Sequence, residues 1–348
     1  MIDVTKLPGY APGMAPIRLD DVGYMEELEK AWGRKWGAQS EMGKLLLCCT
    51  ARPGTNEICE EAKAYPEYFF YKPDQGIPDI NKRRQEHANL VKTLEDNGVE
   101  VLIAEFPDPT MGTYTPLRGL PAPEPNIING GALITRTAYG CKRGNEIWWA
   151  RQLMKWGCPI LLTIHGYGIF EIGPEWIDPD HAIIPWGSRA NAEGVRQVKW
   201  LLESVGVKEI QIVHTVGPWG SETTASSLLG MGSGISHLDT IYTMADKKLA
   251  IVAPSCVEYE FLKYLERLGV RIIEIPPEEV PSMAGNALTI EPGKLIIPEG
   301  NPKTTAALRG AGVKVIEVDL SESTSRSAGG PDCLIRALIR EPGPYLDE

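Results

Sequence analysis

Nowhere does the 348-residue chain string together the roughly 18 apolar residues that a bilayer-spanning helix needs. The opening MIDVTKLPGYAPGMAPIRLDD also has no apolar core of the kind a secretory leader carries. No membrane association is therefore expected, and a cytoplasmic location is the default. Basic charge is in deficit too: 35 Lys and Arg against 46 Asp and Glu leave a net charge of −11. Nucleic acid wants a basic face, so it is not an expected partner; an acidic balance mildly favours a cationic small molecule. The seven cysteines (Cys48, Cys49, Cys59, Cys141, Cys158, Cys256, Cys333) form no CxxC pair, and the five histidines lie apart from them. Neither a disulfide framework nor a structural zinc site is expected.

What the chain does contain is a repeat. Five segments run from an amphipathic helix through a glycine into a β-branched strand: HANLVKTLEDNGVEVLIAEF, RQLMKWGCPILLTI, VRQVKWLLESVGVKEIQIV, EFLKYLERLGVRIIEI and TTAALRGAGVKVIEVDL. Their glycines are Gly98, Gly157, Gly206, Gly269 and Gly312, at intervals of 43 to 63 residues. Each follows apolar positions at i, i+3 and i+4, as the left-handed terminus of a helix would. An ordinary doubly wound sheet gives similar signals. The pieces between copies tilt the reading away from it, because GGALITRTAY, HAIIPWGSRAN, HLDTIYTMADKKLAIVAP and NALTIEPGKLIIP read as further strands and hairpins, with ADKK and EPGK as turns. Several strands and one helix recurring five times predict an α/β propeller of five blades with pseudo-fivefold repeats, its loops gathered around a central channel. Residues 1–38, with Trp32 and Trp36, read as an appended segment, and 39–348 as a single α/β-propeller domain.

Three pieces carry candidate chemistry. In SAGGPDCLIR, Gly329 and Gly330 precede Cys333 and permit close backbone approach, although a core cysteine after a turn reads the same way. In ISHLDTIYTMAD, His237 and Asp239 are one residue apart, which in a strand puts both on one side. Imidazole beside carboxylate can serve as acid/base and cation anchor, or be a surface pair. In HGYGIFEIG, Glu171 ends an apolar stretch.

Taken together these pieces resemble the guanidino-group-modifying enzymes: arginine and agmatine deiminases, dimethylarginine hydrolases and amidinotransferases. The resemblance runs from about Ser40 to about Arg336. SEMGKLLLCCTARPGTNE looks like the opening strand and Pro-Gly turn, GGALITRTAYGCKRGNE like a strand ending in a spaced Arg143 and Glu146, and GSRANAEGVRQV like the deiminases' G-E-R-T stretch. HLDTIYTMAD is nearly their H-L-D-T-V-F-T-M-x-D, and GGPDC looks like G-G-x-x-C. That family's fold is a five-bladed α/β propeller, in agreement with the repeat count.

The resemblance implies Cys333 as nucleophile, His237 as general acid/base, and Asp239 and Glu171 as ligands of a guanidinium. It implies that Arg189 binds a substrate carboxylate; a helix-entry arginine in a salt bridge is the other reading. Two departures stand out. The E-G-G-D motif reads Glu171-Ile172-Gly173-Pro174, without its terminal Asp, and the R-D motif aligns with Pro123-Glu124, so that Glu124 carries the charge on a longer arm. The implied reaction is attack of thiolate on the guanidino carbon, loss of an amine or ammonia, and hydrolysis of the covalent adduct, with no metal or organic cofactor. An amidinotransferase using the same thiol is the alternative, and a silent propeller acting as a binding module a third reading. A homo-oligomer is compatible with the sequence.

Overall fold

The computed structural model describes residues 3–6, 10–13, 20–53, 79–104, 125–138, 143–215, 237–325 and 329–347. Among the described residues, fifteen strands fall into five three-stranded sheets. Four of these are built from contiguous chain: β3 (Asn126–Ile128), β4 (Gly131–Ile134) and β5 (Ile160–Thr163); β6 (Glu175–Asp178), β7 (His181–Trp186) and β8 (Glu209–His214); β9 (Tyr242–Asp246), β10 (Leu249–Val252) and β11 (Arg271–Glu274); β12 (Leu288–Glu291), β13 (Lys294–Pro298) and β14 (Lys314–Val318). In each, the first two strands form an antiparallel hairpin and the third runs parallel to the second. The remaining sheet has the same pattern but borrows its first strand from the far end of the chain: β15 (Arg336–Arg340) lies antiparallel to β1 (Leu45–Ala51), which is parallel to β2 (Glu100–Ala104).

A parallel pair needs a crossover, and a helix supplies it every time. After a first helix, α1 (Tyr24–Trp32), the crossovers are α2 (Ile80–Asp96), α3 (Asn145–Lys155), α4 (Ala192–Ser204), α5 (Tyr259–Arg267) and α6 (Pro302–Gly310). The sequence starts and stops them locally. Asp79 caps α2 by accepting from the N–H groups of Asn81 and Lys82, and Asn191 caps α4 through Gly194 N–H. Beyond the other ends sit the five repeat glycines, all left-handed, with φ between +71° and +92°. The expected helix–glycine–strand unit is thus present five times. The turns in ADKK and EPGK are also where the sequence puts them, at Lys248 and Gly293.

Burial explains the order within each sheet. The second strands β4, β7, β10 and β13 are almost wholly buried, whereas β5, β8, β11 and β14 are half-exposed and lean on their helices. Successive sheets are stitched together. Phe170 and Arg136 exchange backbone hydrogen bonds at 3.0 Å between the second and third sheets, and Tyr242 OH donates to Trp176 O between the third and fourth. Thr289 Oγ1 donates to Met244 O between the fourth and fifth, and Arg340 joins Thr289 O to the sheet of β1. Leu28 of α1 and Trp36 are buried with Trp148, Trp149 and Leu338 in one apolar cluster. No helix among the described residues is long and apolar enough to cross a membrane.

Candidate active site

Cys333 lies in a single turn, Pro331–Leu334, directly after Gly329 and Gly330. Gly329 has φ +88°, and a Cβ on it would come 2.6 Å from Cys333 Sγ, so a side chain here would displace the sulfur. The turn is held by Asn286, whose Oδ1 accepts from Gly330 N–H at 2.7 Å and Cys333 N–H at 3.0 Å. Asn286 Nδ2 in turn donates to Asp239 O at 2.9 Å.

His237 and Asp239 do not lie in a strand, as the one-residue spacing suggested. His237 is extended and precedes a one-turn 3-10 helix, Leu238–Thr240, that contains Asp239. Thr240 closes this turn by donating its hydroxyl and its N–H to His237 O, local bonds that compete with a ladder. The two side chains nevertheless reach one site. Cys333 Sγ is 3.5 Å from Asp239 Oδ2, which also faces Arg336 Nη2 at 3.3 Å. Asp239 Oδ1 is buried and meets no hydrogen-bond partner among the described residues.

Glu171 completes the cluster. Its Oε1 accepts from Ala138 N–H at 2.7 Å; its Oε2 is 3.2 Å from His237 Nε2 and 3.1 Å from Arg189 Nη1. Ile172, which stands where the motif has glycine, keeps a left-handed backbone at φ +52°. A β-branched residue rarely adopts that conformation, so local strain is held beside Glu171. Arg189 is therefore in contact with a site carboxylate and buried. Arg143 and Glu146 order the entry to α3, through Thr137 O and Gly144 N–H respectively. Glu124 lies outside the described residues.

Electrostatics fix the resting state. Burial, and then Asp239, push the Cys333 thiol above the usual thiol range. Burial also pulls His237 below its ordinary value, although the hydrogen bond to Glu171 and the charge of Asp239 oppose this. The free site accordingly pairs a neutral thiol with a neutral imidazole. Cys48, Cys49, Cys158 and Cys256 are buried, and Cys333 is the most accessible of the described cysteines.

Below this cluster a polar cavity of about 50 Å³ is lined by Glu41, Glu175, Asp332, Arg336 and Arg340, among others. Burial raises Glu41 to about 8 and Asp332 to about 6. No group of three His, Cys, Asp or Glu side chains among the described residues is arranged to hold a metal ion.

The arginine deiminase family model matches residues 257–340. The 2-nitroimidazole nitrohydrolase of Mycobacterium sp. (strain JS330) is 26% identical over 339 residues, covering 92% of this chain and 86% of that protein. The N(G),N(G)-dimethylarginine dimethylaminohydrolase of Pseudomonas aeruginosa is 26% identical over 264 residues, covering 74% of this chain and 89% of its own. The chain is thus similar to enzymes of the guanidino-group-modifying superfamily. A crystal structure of a dimethylarginine dimethylaminohydrolase adduct with S-methyl-L-thiocitrulline superposes with a TM-score of 0.63 at 23% identity, over 84% of this chain and 99% of that one.

Three residues of the cluster escaped the sequence reading. Asn286 and Arg336 are ordinary letters in NALTIE and CLIR, and only their contacts reveal them. Glu175 left a weak signal: it is the first carboxylate after Glu171-Ile172-Gly173-Pro174, one position beyond the motif's missing Asp.

Proposed function

We propose that the protein is a cysteine-dependent hydrolase of an amidino carbon, in an arginine-like or substituted guanidino compound. Asp239 is the observation that carries this reading. One of its oxygens faces the Cys333 thiol while the other, buried, has no described partner. A buried acceptor left unbonded costs stability, and beside a thiol it is suited to an N–H of the molecule the thiol attacks. Glu171 offers the second carboxylate, and a planar cation between two carboxylates gains charge-assisted hydrogen bonds.

On this reading, the arriving cation lowers the thiol's pKa and His237 takes the proton. The thiolate attacks the central carbon; His237 returns the proton to the leaving amine as the C–N bond breaks. The covalent amidino-enzyme is then hydrolysed. Arg189 and Glu124 are proposed as further substrate contacts. We read the five sheets as blades of a closed propeller, with residues 39–348 as one catalytic domain and 1–38 as a segment appended to it. The deciding experiment incubates the protein and its Cys333→Ala variant with arginine, agmatine, dimethylarginine and related compounds, and follows amine release and intact mass. Release by the wild type alone, with an adduct on Cys333, is expected. Equal release by both would overturn the reading.

One observation favours a second substrate class. Both site carboxylates already face internal guanidinium groups, Glu171 that of Arg189 and Asp239 that of Arg336. A neutral amidine-like ring would sit more comfortably there than a full cation, and the relative matched over 92% of the chain is named for 2-nitroimidazole. The carbon of such a ring lies between two nitrogens and would lose nitrite. Nitrite is a weak base and needs no proton to depart, so with 2-nitroimidazole His237 is needed only to take the thiol proton; the first-turnover burst of His237→Asn should therefore return as pH rises and thiolate forms, whereas with an amine-releasing substrate it should not.

A further inference from the structure

His237 and Glu171 also wall a second, smaller cavity of about 10 Å³, shared with Glu175, Arg189, Thr215 and Gly187. One of its polar groups is unsatisfied. Thr215 Oγ1 is buried and finds no hydrogen-bond partner among the described residues. It cannot easily turn away: Thr215 N–H donates to Trp186 O, and the hydroxyl is seated against Gly187, where a Cβ would lie 1.9 Å from it. Glu175 is only 7% exposed, and it lines this cavity as well as the larger one. A buried hydroxyl of this kind normally has a partner. A volume near 10 Å³ admits about one water and nothing larger.

We propose that this cavity is the binding site of the hydrolytic water, held by Thr215 and Glu175 and presented to His237. The inference rests on the thiol reading above. The water oxygen bonds to the carbon of the Cys333 adduct as His237 takes one of its protons. The C–S bond then breaks, and the second proton leaves the new oxygen, becoming a carbonyl, to restore the Cys333 thiol. The product is a ureido group. Burial, together with Asp239, Glu41 and Asp332, raises Glu175 above the usual carboxylate range, so it can donate a hydrogen bond while Thr215 accepts one. The size of the cavity also selects between outcomes. Methylamine, the smallest primary amine with a carbon, has two heavy atoms and does not fit, so the adduct is steered to hydrolysis rather than to amidino transfer.

The test uses the amidino compound that the wild type turns over fastest, with rapid quenching and intact-mass analysis of Thr215→Val, Glu175→Gln and Thr215→Ser. Adduct formation should be little changed, while hydrolysis in the first two slows by about tenfold or more, the worth of a lost charged or buried hydrogen bond. Adduct should then accumulate on Cys333, and Thr215→Ser, which keeps the hydroxyl, should restore hydrolysis. In Thr215→Ala the enlarged cavity should let added methylamine compete, giving an N-methylguanidine. Parallel loss of both steps, or an unchanged ratio of the two in both variants, overturns the water site. Turnover that never labels Cys333 and persists in Cys333→Ser overturns the thiol reading itself, and the water site with it.

Discussion

Asn286 Oδ1 lies 3.0 Å from the backbone nitrogen of Cys333, and the same side-chain amide reaches the carbonyl of Asp239 at 2.9 Å. One fully buried amide therefore sets the distance between the sulfur and the carboxylate beside it. In Asn286→Ala three buried backbone groups lose their partner, each at about 1–3 kcal/mol. We expect kcat to fall by on the order of 10-fold to 100-fold, with KM moving less. Steady-state kinetics alongside thermal melts decide it: a destabilised variant with an unaltered kcat would mean that the amide serves folding alone.

Cys333 should be the described cysteine that iodoacetamide labels first, because the other four are buried. Its raised pKa makes that labelling slow near neutrality and faster as pH rises, since only the thiolate reacts. A bound cationic ligand that leaves the sulfur exposed should accelerate it at fixed pH. Peptide mapping that finds Cys49 or Cys256 modified before Cys333 would contradict the assignment.

The rate should have an acid limb below 6.5, the ordinary imidazole value, because burial lowers His237 and only neutral imidazole accepts the thiol proton. Glu171 raises the His237 value through its hydrogen bond. Glu171→Gln should thus shift the limb to still lower pH while reducing the maximal rate. A pH profile with the limb unmoved, or moved upward, would place Glu171 away from His237 in the working enzyme.

Glu41 gives a stability test. In the folded protein burial raises it from 4.5 to about 8, reinforced by Asp332 and Asp239 and opposed by Arg340 and Arg336. Between those values the folded state holds a proton that the unfolded chain has released, so stability falls as pH rises through the window. Glu41→Gln cannot ionise and should lose less of its melting temperature between pH 5 and pH 9 than the wild type. Parallel melting curves for the two proteins across that range would refute it.

The five helix–glycine–strand units were legible because each rests on local rules: apolar spacing, a capping residue, and a glycine where the chain turns left-handed. Hairpins at ADKK and EPGK were legible for the same reason. The conformation around His237 was not, since the spacing of two side chains cannot say whether Thr240 will bond back to His237 O instead of joining a ladder. Arg336 and Glu175 were hidden for a different reason. An arginine at the start of a strand usually faces water, and only the convergence of distant segments turns it into the partner of Asp239. Arg189 was read two ways, as a substrate contact or as half of a salt bridge, and its 3.1 Å approach to Glu171 belongs to the second without removing it from the site.

The pairing of β15 with β1 has a consequence for the newborn chain. Four sheets can assemble from contiguous chain as each stretch leaves the ribosome, but the sheet of β1 stays one strand short until β15, which directly follows the Cys333 turn, has been translated. Until then β1 lacks its antiparallel neighbour, and the segment that carries Cys333 has no strand beside β1 to anchor it.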